Sequence, residues 1–133
     1  MSLEIPTQTV QQLMEVAYVA SGAGMLRDSE IIFQGVQAAC PESVMPQIGR
    51  AVNLLNAGRP EEATQLLRAA LDSFPESELA MSFLGLALRQ AGFAQAMQSV
   101  CEQVVALGQD QEALALAQSL LDASSSIADN SKP

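Results

Sequence analysis

Three glycines, Gly24, Gly58 and Gly92, stand 34 residues apart in this chain of 133, and the tripeptide Pro-Glu-Ser occurs at Pro41 to Ser43 and again, with the same spacing, at Pro75 to Ser77. A fixed internal period constrains the fold more than composition can, because every copy must form the same unit and bury its apolar face against its neighbours. Sliding the sequence by 34 brings more positions into register. Ala17, Ala51 and Gly85 each precede a glycine by seven residues, Phe33 aligns with Leu67 and Cys101, and Val36 aligns with Ala70 and Val104.

Each unit reads as a pair of helices. Ala, Leu, Gln and Glu dominate, aromatic residues are scarce, and the β-branched and aromatic bias of strands is missing, so an all-α protein is expected. A hydrophobic content of 49% suffices for a core. Gly58-Arg59-Pro60 ends one helix and opens the next, with Pro in the first turn. Ser43 and Ser77 can serve as N-caps, and Pro75 blocks continuation of the helix before it. Helices are expected near residues 8–21, 26–39, 44–57, 60–73, 77–90, 93–107 and 110–122. The seventh, with Ala113, Leu114, Leu116, Ala117, Leu120 and Leu121 apolar and Gln111, Glu112, Gln118 and Asp122 toward water, has the form of a helix that caps the open end of a stack. Gly108 and Asp110 end the repeats and open that helix, and the polar residues 124–133 are expected to be a disordered tail.

A unit of 34 with a small residue at its eighth position, Gly at the fifteenth, Ala at the twentieth and twenty-seventh and Pro at the thirty-second resembles the tetratricopeptide repeat. The middle copy carries the pattern best, in Ala51, Gly58, Ala63, Leu67, Ala70 and Pro75. The first has Ser29 and Val36 at the two Ala positions, and the third has Met97 and, in place of Pro, Gln109. The resemblance implies an α-solenoid of three helix-turn-helix repeats (10–43, 44–77, 78–109) and a capping helix (110–122), together one domain over residues 1–123. Small residues at these positions let paired helices and successive units approach closely.

Charge and residue inventory exclude several functions. The formal charge of −9, spread along the chain, repels nucleic acid and anionic membranes. Arg50, Arg59, Arg68 and Arg89 are read as solvated helix faces. No apolar run approaches the roughly 20 residues that span a bilayer, and no targeting segment is visible, so a cytoplasmic protein without membrane insertion is expected. Histidine is absent, which removes the commonest general base and metal ligand. Glu61 and Glu62 favour a helix N-terminus, "SGAGM" at residues 21–25 lacks a phosphate-loop lysine, and Cys40 and Cys101 fit neither a disulfide framework nor a metal motif. No catalytic residue, cofactor or metal is expected, and the chain is read as a protein-binding module rather than an enzyme.

The tetratricopeptide resemblance also implies where binding occurs, since the first helix of each unit lines a concave face. The positions concerned include Met14, Tyr18, Met45, Ile48, Val52, Leu55, Leu79, Leu86 and Arg89. This set is mostly apolar and lacks the Lys and Asn of repeats that grip a C-terminal carboxylate. It suits a hydrophobic or amphipathic helix, with methionine giving adaptable contacts. Small size, acidity, three repeats with a cap and an apolar groove together resemble the tetratricopeptide-type accessory proteins of bacterial type III secretion, namely the needle-subunit co-chaperones and the Hrp-type group. The run from Leu84 to Leu121 is most similar to the latter. The resemblance implies a chaperone that keeps a secretion component soluble before export. The alternative is a generic scaffold in which the same apolar face forms a homodimer.

Overall fold

The computed structural model describes residues 6–130, with side chains as far as residue 125. Seven helices follow one another: α1 (Thr7–Gly22), α2 (Leu26–Ala39), α3 (Met45–Asn56), α4 (Pro60–Ser73), α5 (Glu78–Gln90), α6 (Ala94–Leu107) and α7 (Gln111–Asn130). There is no strand among the described residues. All-α architecture is therefore as expected, and the first six helices begin and end within a residue of the positions read from the sequence.

The reason for that agreement is local chemistry repeated three times. Gly24, Gly58 and Gly92 all adopt left-handed backbone, with φ of +83°, +74° and +91°. Around each, two hydrogen bonds close the same turn: Met25, Arg59 and Phe93 donate to the carbonyls of Ala20, Leu54 and Leu88 at 2.8, 2.9 and 2.8 Å, and the glycine N–H groups donate to Ser21, Leu55 and Arg89. This pairing satisfies carbonyls that a helix end leaves orphaned and requires a residue without a Cβ penalty at positive φ.

The Pro-Glu-Ser copies also form one turn twice. Ser43 donates its N–H to Cys40 O, and Ser77 donates to Phe74 O, both at 3.1 Å. Ser77 caps α5, its hydroxyl accepting from the Ala80 N–H. Ser43 does not cap α3 in the same way, because that helix starts one residue later; Val44 occupies the cap and the Ser43 hydroxyl accepts from the Met45 N–H. At the third boundary Gly108 is left-handed and the Asp110 carboxylate accepts from the Ala113 N–H, ending one helix and opening the next as the sequence implied.

Helix pairs α1–α2, α3–α4 and α5–α6 pack as hairpins, and each second helix also packs on the helix that follows it. The odd-numbered helices touch in series, α1 on α3, α3 on α5 and α5 on α7, while among the described residues α2, α4 and α6 do not touch one another. Two rows result, a closely packed odd row and a spread even row.

The core lies where the repeat register put it. Ala17, Ala51, Ser29, Ala63, Met97, Phe33, Leu67, Cys101, Val36, Ala70 and Val104 are all at most 2% exposed. Two glycines are needed for close approach rather than for a turn. A Cβ on Gly49 would enter the Phe33 ring, and one on Gly85 would lie 2.7 Å from Cys101 Sγ. Between the first two hairpins the buried Ser29 Oγ donates to Ala17 O at 2.7 Å, and Asn53 Nδ2 donates to Ser29 Oγ at 3.0 Å.

One expectation is corrected. Residues 124–130, expected to be disordered, continue α7, which ends at Asn130 rather than near residue 122. Extending a formed helix costs far less than nucleating one, and the segment from Ser124 to Asn130 contains neither Gly nor Pro to stop it. Residues 131–133 of the expected tail, and residues 1–5 of the expected domain, lie outside the described residues.

Two glycine substitutions separate the roles of this residue. Gly58→Ala, forcing a side chain into left-handed backbone, is expected to lower stability by about 1–2 kcal/mol. Gly35→Ala, mid-helix with nothing within 4 Å of the added carbon, is expected to raise it by about 0.5–1 kcal/mol. Urea midpoints of the two variants against the parent check both signs.

Candidate partner-binding cleft

On α1, Val10, Met14 and Tyr18 recur every four residues and so share one face of the helix, with Gln11 and Glu15 beside them. This face borders a cleft of about 820 Å³ whose other walls are Val36 of α2, Ser43 before α3, Met45 and Pro46 at its start, and Glu112 in the first turn of α7. The first and last helices of the odd row therefore meet at one cavity.

Packing beneath the cleft fixes its largest side chain. Phe33 is fully buried against Gly49, and the Tyr18 ring meets it edge-on, with centroids 5.1 Å apart and an interplanar angle of 72°. That geometry is favourable for aromatic quadrupoles. Tyr18 keeps 37% of its surface exposed and Met45 39%, so both present apolar surface to solvent at the cleft. Burial raises the Tyr18 phenol above its ordinary pKa. Glu15 and Glu112 give the cleft an acidic rim, and no Lys or Arg borders it.

A second cleft, of about 640 Å³, opens between α2 and α4, lined also by α3, and is bordered by Arg27, Arg50 and Arg59 with Glu30 and Glu62. Its charges are largely compensated within the protein. Arg50 Nε donates to Glu30 Oε1 at 2.7 Å and its Nη1 to Gln37 at 3.1 Å, and Arg59 forms a two-pronged pair with Glu62. Leu26, Leu54, Ala57 and Leu66 give this cleft apolar surface too, so the two differ in their charged rims, basic and acidic side chains here and carboxylates alone at the first.

Of the concave-face residues read from the sequence, Met14, Tyr18 and Met45 come together at the first cleft. Ile48, 1% exposed, and Leu55, 9% exposed, do not line it, which corrects that expectation. The cause is the position of α3 inside the stack: helices on several sides cover it, and Pro46, Gly49, Ala51 and Asn53 are buried as well. Val52, Leu79 and Leu86 are half-buried, the latter two packed against the core, and Arg89 is exposed in the last turn of α5. Val10 was missed although it extends the Met14 and Tyr18 stripe by one turn. Glu112 carried no local signal, because its approach to α1 depends on how the whole row curves.

No group of three or more His, Cys, Asp or Glu side chains capable of holding a metal occurs among the described residues. Glu61 and Glu62 lie in the first turn of α4, where carboxylates favour the helix dipole. Both cysteines are free, and burial raises the Cys101 thiol above its ordinary pKa. No helix among the described residues is long and apolar enough to cross a membrane.

Tyr18 is the chain's single tyrosine and there is no tryptophan, so its titration can be followed alone. Because burial favours the neutral phenol, its stabilising effect is present below the unfolded pKa of about 10 and is lost as pH rises through the higher folded value. Absorbance titration is expected to place the midpoint above that of free tyrosine. Between about pH 9 and 11, the parent is expected to lose stability relative to Tyr18→Phe, as thermal unfolding would measure.

The sequence pattern of one family, described as bacterial type III secretion protein (HrpB1_HrpK), matches residues 1–126. No curated protein matches the chain. The match agrees with the Hrp-type resemblance carried by the run from Leu84 to Leu121 and spans nearly the entire sequence, so the chain belongs to the HrpB1_HrpK family of bacterial type III secretion proteins.

Proposed function

We propose that this protein is an accessory chaperone of type III secretion that seats a hydrophobic or amphipathic helix of a secretion component in the cleft between α1 and α3. The observation that carries the reading is the apolar stripe of half-buried Val10 and Met14 and exposed Tyr18, facing Met45 across a cavity that the protein's own described side chains leave open. Helical ligands are bound in this way, by apolar residues entering a groove at helical spacing, and thioether side chains adapt to the shape of what enters. The family supplies the secretion context.

The same reading takes the molecule as a tetratricopeptide-like stack of three hairpins and a cap. The three glycine turns at intervals of 34 and the serial packing of odd helices support it. A cleft on the odd row is where such a stack would hold a ligand. The acidic exterior would keep a loaded complex soluble.

Tyr18 provides the readout. Titrating the protein with purified needle and translocator subunits of its own secretion system, followed by tyrosine fluorescence polarised or quenched on binding, is expected to show saturable binding to at least one of them. Met14→Glu and Met45→Glu are expected to weaken that binding by at least ~10-fold, about 1.4 kcal/mol, while Arg59→Glu in the second cleft leaves it unchanged. Undiminished affinity in both cleft variants would remove the cleft from the account.

A further inference from the structure

In each hairpin after the first, the same three positions of the leading helix meet the unit before it. In α3 they are Pro46, Arg50 and Asn53: Pro46 and Asn53 are buried, Asn53 is bonded to Ser29, and Arg50 is bonded to Glu30 and Gln37. In α5, 34 residues on, they are Ala80, Leu84 and Ala87, all buried. Three residues join α6 to α7 where four join α4 to α5, so the interval shortens to 33, and the corresponding Ala113, Ala117 and Leu120 are buried too. In α1 the positions are Gln12, Val16 and Val19. Among the described residues nothing lies over them, and Val16 is 55% and Val19 72% exposed.

We propose that this face of α1 is a homodimer interface, in which α1 of one protomer packs against α1 of its partner about a two-fold axis. Three observations favour a second copy as the occupant. The positions are those at which every later unit of the stack accepts a helix, so the face has the register of an internal interface. The ends of the molecule differ, since α7 shows Gln111, Glu112, Gln118 and Asp122 to solvent; a head-to-tail contact would set a polar end on an apolar one, whereas a two-fold contact joins like to like and closes. Finally, each copy carries a charge of −9, yet Glu15, at the edge of this face, is the only charged residue from Thr7 to Leu26, so two copies approach there with little repulsion.

This interface does not use the cleft. Val10, Met14 and Tyr18 border the cavity from another side of α1, with Glu15 between the two faces, and a dimer built on Val16 and Val19 presents two open clefts. The inference therefore stands independently of the proposed chaperone function.

Sedimentation velocity of the full chain at about 50 µM, well above a micromolar Kd, is expected to show a dimer. Val16→Glu combined with Val19→Glu is expected to sediment as a monomer with unchanged helical circular dichroism. Val19→Lys alone, at a site too exposed for folding to depend on it, is expected to weaken dimerisation by at least ~10-fold. Met14→Glu is expected to remain dimeric. A parent that is monomeric at that concentration, a dimer that survives the double substitution, or a monomer produced by Met14→Glu would each overturn the proposal, the last by moving self-association into the cleft.

Discussion

The chain reverses direction at a left-handed glycine every 34 residues, and the rest of the structure depends on that reversal. Each turn is closed by the same pair of backbone hydrogen bonds, so each hairpin leaves its turn with the same helix-to-helix phase. Identical phase brings the same positions inward in every unit, which is why Ala17, Ala51 and Gly85 can all be small and all be buried. Close approach at Gly85 is measurable in the 2.7 Å that would separate an added carbon from Cys101 Sγ. Interiors at crystalline packing density do not absorb such a group without displacement elsewhere.

The interfaces between units are not chemically alike. Hairpin one meets hairpin two through polar groups, the Asn53–Ser29–Ala17 relay and the Arg50–Glu30 pair, whereas α5 and α7 are seated through Ala80, Leu84, Ala87, Ala113, Ala117 and Leu120. A buried hydrogen-bonded network demands its own geometry more strictly than apolar contact does. The first hairpin is thus held by directional bonds at the boundary beside the cleft, and Phe33, wedged against Gly49, carries that fixed position to Tyr18.

Helix boundaries were legible in the sequence because Gly, Pro and Ser act through their own backbone chemistry, independent of distant residues. The core register was legible because a period reports burial by repetition. The cleft was legible only in part. Met14, Tyr18 and Met45 lie on helix faces that stay open, but whether Ile48 and Leu55 face solvent depends on how many neighbours surround α3, which no local pattern encodes. Glu112 enters the cleft only through the cumulative geometry of seven helices. The reach of α7 to Asn130 was misjudged because a polar composition describes solvation and says little about where a helix already formed will stop.

The three-residue joint before α7 has an evolutionary consequence. It is one residue shorter than the joint before α5, yet α7 buries Ala113, Ala117 and Leu120, the counterparts of Ala80, Leu84 and Ala87, so the shift is taken up within the joint and the helix keeps the phase of the units before it. A whole 34-residue unit duplicated ahead of that joint would find both neighbours in phase, whereas a unit appended behind α7 would meet Gln118 and Asp122. A duplicated unit is therefore accommodated more readily between existing hairpins than behind α7, where polar side chains face outward.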